Sequence, residues 1–178
     1  MQNGVWTIRS ATIQDARAIA GVHIESYKAA YRGIFPDPLL NGLSAQKYNS
    51  SWHDLLSRHE PSSPITLAGC DTSGSLVGFA SGGNERTGQL GCDGELYAIY
   101  LRPDAQRKGL GGLLVREFAQ ALAARGCSSM AVWVLELNPS RRFYESLGGQ
   151  VIGRQQIERG GQMFFEVAYG WQDLNTFS

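Results

Sequence analysis

Glu95–Leu101 reads as a strand, Arg102-Pro103-Asp104-Ala105 as a loop, and Gln106-Arg107-Lys108-Gly109-Leu110-Gly111-Gly112 as a glycine-rich entry into a long helix. The helical pattern runs from Gly109 to Arg125, with Leu110, Leu113, Leu114, Phe118 and Leu122 at three- and four-residue steps and Gly126 as its stop. The first N–H groups of a helix have no internal partner, and the helix dipole adds partial positive charge at that end. Phosphates bind there. Glycines at 109, 111 and 112 remove side chains that would hold a phosphate off the backbone, and Arg107 and Lys108 add charge at the same place. A diphosphate cradle follows from these residue types. It is no P-loop, because Gly112 leads to Leu113, and the full Gly-x-Gly-x-x-Gly dinucleotide pattern is absent.

The elements around this segment fall in the order β, α, α, β, β, β, α, β, α, β, β. Val5–Arg9 is a short β-rich run, and Thr12 reads as a helix N-cap with Asp15 as its capping-box partner. An amphipathic helix spans Ile13 to about Tyr31, carrying Ala16, Ile19, Ala20, His23, Tyr27 and Ala30 on its apolar face. Pro36 and Pro38 oppose continuation, and a second helix is expected over 44–57. Strands follow at 65–69 and 76–80 as a hairpin, and 82–91 reads as a polar, glycine-rich loop. Met130–Leu135 is a continuous apolar strand, Ser140–Leu147 a short helix, and 151–157 and 163–171 a hairpin turning at Arg159-Gly160-Gly161. The fold class is α/β or α+β in a single domain covering 1–178.

Composition narrows the partners. Lysines plus arginines number 16, as do aspartates plus glutamates, among 178 residues. A nucleic-acid binder or a membrane-surface protein carries a basic excess, and none is present. No stretch of about 18 apolar residues occurs, and Met1–Trp6 has no basic region leading into an apolar run, so neither a membrane helix nor a secretory signal is expected. Cys70, Cys92 and Cys127 are widely spaced and form no metal-ligand pattern. Free thiols in a reducing cytoplasm are the expectation, with no metal.

Residues 95–116 resemble the acetyl-CoA-binding segment of the GNAT superfamily of N-acetyltransferases. Asn138-Pro139-Ser140-Arg141-Arg142-Phe143-Tyr144-Glu145-Ser146-Leu147-Gly148-Gly149 resembles that family's second motif, and the element order matches from Trp6 to the last hairpin. The resemblance implies a mixed, mostly antiparallel sheet of about seven strands with helices on both faces, splayed between strands four and five. It implies a coenzyme-binding core over about 92–150 and acceptor-side elements at about 12–58 and 151–170. It also implies transfer of acetyl from acetyl-CoA to a primary amine by direct attack in a ternary complex. A non-catalytic acyl-CoA-binding or sensing module is the alternative. Such domains often dimerise, so a homodimer is admitted.

Carried over by residue, the resemblance assigns the pantetheine arm to main-chain groups of Ile99, Tyr100 and Leu101. It assigns the pyrophosphate to Gln106, Arg107, Lys108, Gly109, Leu110, Gly111 and Gly112. Tyr144 matches the tyrosine near the coenzyme sulfur, a general acid for the leaving thiolate, or else a packing residue beside Phe143. Asn138 either contacts the pantetheine or caps the helix. Arg141 and Arg142 reach coenzyme phosphates or are solvated helix charges. Glu95 is the candidate general base, on a face that period-two alternation shares among Glu95, Tyr97, Ile99 and Leu101. Tyr97, however, occupies the position matching the glutamate base of histone-acetylating relatives. Tyr27, Tyr31, Phe35 and Asp37 give an aromatic wall with one acid on the acceptor side, suited to a cationic amine, or else they close the core. Tyr97 and Glu166 are further acceptor-side candidates. His23, on the apolar helix face, reads as a core histidine.

Overall fold

A computed structural model describes residues 5–177, so Met1–Gly4, read above for a signal, lie outside the described residues. Seven strands form one sheet: β1 (Thr7–Ser10), β2 (Ile65–Cys70), β3 (Leu76–Asn84), β4 (Gly94–Leu101), β5 (Met130–Leu135), β6 (Gln150–Arg159) and β7 (Gln162–Trp171). Their spatial order is β1-β2-β3-β4-β5-β7-β6. The β4–β5 pair is parallel and the others are antiparallel.

Helices cover both faces. Helices α1 (Ala16–Tyr31) and α3 (Ala45–Leu56) lie on one, where Ile19, Ala20, Trp52 and Leu56 pack on Phe79, Ala98 and Tyr100. Helix α4 (Leu110–Ala124) lies on the other, with Leu110, Leu114, Phe118 and Leu122 fully buried against β2–β5. Helix α5 (Arg141–Ser146) joins that second face through Tyr144. A single apolar stripe per helix, set against a sheet with two apolar faces, requires this layering.

Four local expectations are corrected. Ile13–Asp15 is a 3-10 turn and the α-helix begins at Ala16, because the Asp15 carboxylate turns back to accept from Thr12 N and from both Arg9 nitrogens at 2.7–2.8 Å. A short helix α2 (Asp37–Asn41) stands where the prolines were read as breakers. Pro36 and Pro38 occupy its N-cap and second position, where a missing N–H costs nothing. Strand β3 continues to Asn84 through glycines that were read as loop. Gly82 is there for close approach: a Cβ would stand 2.2 Å from the Glu95 carbonyl and 2.6 Å from Phe118.

The fourth concerns β4. Ser81 pairs with Ala98 and Gly82 with Leu96, so Tyr97 is an extra residue, a β-bulge. The bulge breaks the expected alternation. Ile99 and Leu101 join Leu96 on the α4 face, Ala98 and Tyr100 face α1, and Glu95 and Tyr97 stay together on the other side of Leu96.

Candidate active site

The bulge sits where β4 and β5 part. Their pairing is confined to Gly94–Met130 and Glu95–Ala131. Beyond it the strands diverge and leave a cleft of about 580 Å³ between Tyr97–Leu101 and Val132–Val134. Its lining continues to Gln106, Arg107, Gly109, Gly111 and Gly112 at one end, and to Asn138, Phe143 and Tyr144 across from them. Ser26 and Tyr31 of α1 close its near side.

The cradle is built largely from backbone. Arg107 has φ +57 and Gly109 φ +91, so two residues turn left-handed immediately before α4 begins. Gly109 meets that demand without strain, and Arg107 carries it as the non-glycine exception. The Trp6 indole N–H donates to the Lys108 carbonyl at 2.9 Å and holds the turn from the far edge of the sheet. Lys108 and Leu110 do not line the cleft. The Lys108 side chain is exposed, and Leu110 is buried in the α4 core.

At the end of β4 the Leu101 carbonyl accepts from Ser26 Oγ at 2.8 Å and from Gln106 Nε2 at 3.1 Å. Both its lone pairs are used, and Gln106 here closes the strand end. Asn138 does two things. Its Oδ1 accepts from Ser140 N at 2.9 Å, turning the chain into α5, and its side chain lines the cleft. Arg141 is tied to the Tyr169 hydroxyl and the Glu136 carbonyl, while Arg142 is exposed.

Tyr144 is buried and stacks against Tyr169, with ring centroids 6.0 Å apart. Burial raises its pKa above the ordinary phenol value, and the neighbouring Tyr31 adds to this. Tyr100 is raised for the same reasons, burial first and then Tyr31. Tyr31 itself is raised by burial against opposing hydrogen bonds from Tyr100 and Asn138. These phenols stay protonated near neutral pH and form a proton-bearing wall along the cleft.

The aromatics read from sequence form a chain of ring contacts in which Tyr31 and Phe35 stack, Tyr27 is tilted to Tyr31, and Phe164 meets Phe35 edge-on. Tyr27 and Tyr31 lie 4.5 Å apart, Tyr31 and Phe35 4.6 Å, and Phe35 and Phe164 5.0 Å. Only Tyr31 of these lines the cleft. Phe35 is buried with Leu40 and Leu135, and Asp37 is exposed at the start of α2, away from the lining. Glu166 lies on the same face of the sheet as Phe164, opposite Gln155, whose Nε2 donates to it at 3.0 Å.

Glu95 is 1% exposed and does not line the cleft. Its carboxylate accepts from Arg86 Nε and Arg86 N at 3.1 Å and from Arg86 Nη2 at 2.5 Å. Arg86 also lies 4.3 Å over the Tyr97 ring, and the Tyr97 hydroxyl donates to Asn84 O at 2.6 Å. The carboxylate expected to be open to an amine is therefore engaged by a guanidinium, because residue 86 folds back over the strand.

Sequence reasoning missed Trp6, Ser26, Arg86 and Trp133. The Trp133 indole N–H is buried without a hydrogen-bond partner among the described residues, and Trp133 lines the cleft. A buried serine three positions after His23 on the apolar side of α1 was a readable signal for Ser26. The others depend on pairings across the sheet. His23 is the core residue expected: its Nδ1 accepts from Trp52 Nε1 at 3.3 Å and it stacks on Tyr100 at 4.7 Å. Among the described residues no group of three His, Cys, Asp or Glu could hold a metal ion, and no helix is long and apolar enough to cross a membrane. The three cysteines are free, with Cys92 and Cys127 half-buried and Cys70 buried.

Comparison with known proteins agrees with this architecture. The model of the FR47-like protein family matches residues 89–159, which hold β4, the cradle, β5 and α5. An uncharacterized N-acetyltransferase of Bacillus subtilis, YuaI, is 40% identical over 170 residues, covering 96% of this chain and 95% of its own. A spermidine N(1)-acetyltransferase of Thermoplasma acidophilum is 25% identical over 134 residues, 74% of this chain and 79% of its own. The structure of the PaiA N-acetyltransferase of Thermoplasma acidophilum, in complex with coenzyme A, superposes with a TM-score of 0.73 at 22% identity, covering 92% of this chain and 98% of that one. The fold and the splayed cleft define an acyltransferase. The chain belongs to the GNAT superfamily of N-acetyltransferases.

Proposed function

We propose that the protein transfers an acetyl group from acetyl-CoA to a primary amine, with both substrates held in the cleft at once. The observation that carries this is the parting of β4 and β5 after Glu95–Ala131, which opens a channel from the N-terminus of α4 to Tyr144. A pantetheine arm is a chain of amides and takes main-chain partners along the unpaired edge of β4. Ile99 and Tyr100 lie on that stretch, and Leu101 becomes available once Gln106 lets go of its carbonyl. The pyrophosphate falls to residues 106–112. The residues fit it: Cβ atoms built at Gly109 and Gly112 meet nothing within 4 Å, so the cradle stands open, and the α4 N–H groups carry partial positive charge.

The bound coenzyme supplies an activated thioester. The chain's own residues orient it and manage protons. Tyr144, kept protonated by burial, would donate its hydroxyl proton to the thiolate sulfur as the C–S bond breaks; the proton that the amine loses on forming the C–N bond would pass to solvent, from which the Tyr144 phenolate recovers one. Tyr31 and Tyr97 line the cleft, and Glu166, on the sheet face of Phe164 and outside that lining, is the acceptor-side carboxylate of this reading, with no ion pair among the described residues. We assign Glu95 the holding of Arg86, which lies over the Tyr97 ring, rather than proton abstraction, because its oxygens are already engaged. One catalytic unit results, with its coenzyme side at about 92–150 and its acceptor side at about 12–58 and 151–170. This reading includes a cytoplasmic location, where acetyl-CoA is available.

The test is incubation with acetyl-CoA and a panel of amines, read by free thiol release and by product mass. Thiol release matched to an acetylated amine is expected. Tight coenzyme binding without transfer to any amine would reduce the protein to an acyl-CoA-binding module.

A further inference from the structure

Two aromatic rings flank the point where β4 and β5 part. Tyr97 stands two residues beyond Glu95, the last residue of β4 paired with β5, and Trp133 stands two residues beyond its partner Ala131. Both line the cleft, and both lie on the side of the sheet away from α4, since Leu96, Val132 and Val134 take the other side. The Trp133 ring has a seat made for it. Its neighbour on β7 is Ala168, and one strand further lies Gly153 of β6. A Cβ at Gly153 would stand 3.3 Å from Trp133 Cη2 and 3.0 Å from Leu90. No hydrogen bond ties the indole N–H elsewhere among the described residues. The Tyr97 ring is held by its hydroxyl, which donates to Asn84 O at 2.6 Å, and the Arg86 guanidinium lies 4.3 Å over it. That positive charge opposes a second cation at the same ring.

Protons supply a second constraint. The titratable side chains of the lining are Tyr31, Tyr97, Tyr100, Tyr144 and Arg107. Phenols and guanidinium hold their protons at neutral pH, so this lining can give a proton and not take one. Glu95 is engaged by Arg86, and Glu166 lies outside the lining. An alkylamine reaches such a cleft as an ammonium and must first shed a proton. An amine bonded directly to an aromatic ring arrives neutral. We propose that the acceptor is a weakly basic aromatic amine, its ring received between Tyr97 and Trp133 and its nitrogen uncharged on arrival. Tyr97 and Trp133 are then specificity-determining residues. The nitrogen lone pair forms the C–N bond to the thioester carbonyl carbon, the C–S bond breaks, and the acylated nitrogen loses its surplus proton to solvent. The inference rests on the N-acetyltransferase reading and selects within it.

The experiment separates basicity from aromaticity with four acceptors: aniline, benzylamine, 2,2,2-trifluoroethylamine and cyclohexylamine. Steady-state kcat/KM is measured for each at pH 7 and saturating acetyl-CoA, with the full chain. Aniline is expected to exceed trifluoroethylamine, which is weakly basic and has no ring, by about five- to tenfold, the size of one aromatic contact. It is expected to exceed the two strongly basic amines by about tenfold or more. Between pH 7 and 9 the aniline value stays level, while that of benzylamine climbs by about tenfold per pH unit with its neutral fraction. Trp133→Leu is expected to lower the aniline value about fivefold, to leave trifluoroethylamine within about twofold, and to leave the acetyl-CoA dissociation constant unchanged. The wild-type comparison stands whether or not that variant folds. A strongly basic amine preferred over aniline at pH 7 would overturn the proposal and leave the transferase reading intact, as would equal losses on both weakly basic amines in Trp133→Leu. No thiol release with these four, but release with another amine, would also overturn this proposal alone. No release with any amine would overturn both.

Discussion

The indole N–H of Trp6 donates to the main-chain carbonyl of Lys108 at 2.9 Å, joining positions 102 residues apart. One end of this bond lies beside the edge strand β1, and the other lies in the turn that launches α4. The bond fixes a left-handed turn whose strain at Arg107 would otherwise relax. Trp6→Phe keeps an aromatic ring, smaller than the indole, and removes the donor. A single hydrogen bond of this kind contributes about 1 kcal/mol. Acetyl-CoA affinity, measured by calorimetric titration, is expected to fall about fivefold, with turnover at saturating coenzyme little changed. Unaltered affinity would show that the turn holds itself.

Side chain and backbone separate cleanly within the cradle. Lys108 is exposed and outside the lining, so Lys108→Ala removes one screened charge and is expected to change acetyl-CoA affinity by about twofold. Gly111 is different. A Cβ there stands 3.3 Å from the Phe143 ring, on the helix that carries Tyr144. Gly111→Val pushes α5 outward and fills the cleft, so affinity is expected to fall by roughly tenfold or more. The reverse order of the two variants would mean that side-chain charge, not main chain, holds the diphosphate.

Tyr144→Phe removes the proposed acid and keeps the ring that packs on Phe143 and Tyr169. General acid assistance contributes on the order of a hundredfold to ten-thousandfold. The expected result is a fall in kcat of that order with the dissociation constant of acetyl-CoA unchanged. Because burial raises the Tyr144 pKa, the wild-type rate is expected to show no alkaline loss from this group as pH passes through the ordinary phenol value. Equal loss in binding and turnover would make Tyr144 a packing residue.

The strand, turn and helix around residues 94–124 and most other elements were legible because their signals are local. A glycine-rich helix start, a run of leucines at helical steps and the Thr12–Asp15 capping pair each lie within a few residues. The Tyr97 bulge was not legible, because it exists only in register with Gly82 across the sheet. Once it was missed, alternation placed Ile99 and Leu101 on the same face as Glu95. The Arg86–Glu95 contact failed for a related reason. Glu95 in isolation is a carboxylate on the strand nearest the chemistry, and only the return of residues 84–94 reveals the guanidinium upon it. The proline pair misled in a simpler way, since Pro36 and Pro38 break a helix in its interior and begin one at its first turn.

His23 gives the fold an acid limit that the site does not need. Its ring is surrounded by Tyr27, Tyr48, Trp52, Phe79 and Tyr100, with no charged side chain among these neighbours. Burial pushes its pKa down from 6.5 to about 4. Between those values the unfolded chain takes up a proton that the folded chain refuses. Stability is therefore whole above pH 6.5, falls as pH drops toward 4, and levels off below, with a total change of up to roughly 3 kcal/mol. Asp15 acts in a lower window: the Arg9 hydrogen bonds hold it near 2, so its contribution is lost only as pH falls below about 4. Urea unfolding at pH 7 and pH 5 checks this. His23→Gln keeps a carbonyl able to accept from Trp52 and cannot take up a proton, so it is expected to lower stability at pH 7 and to flatten the slope between the two pH values. A slope that persists in the variant would assign the acid sensitivity to other groups.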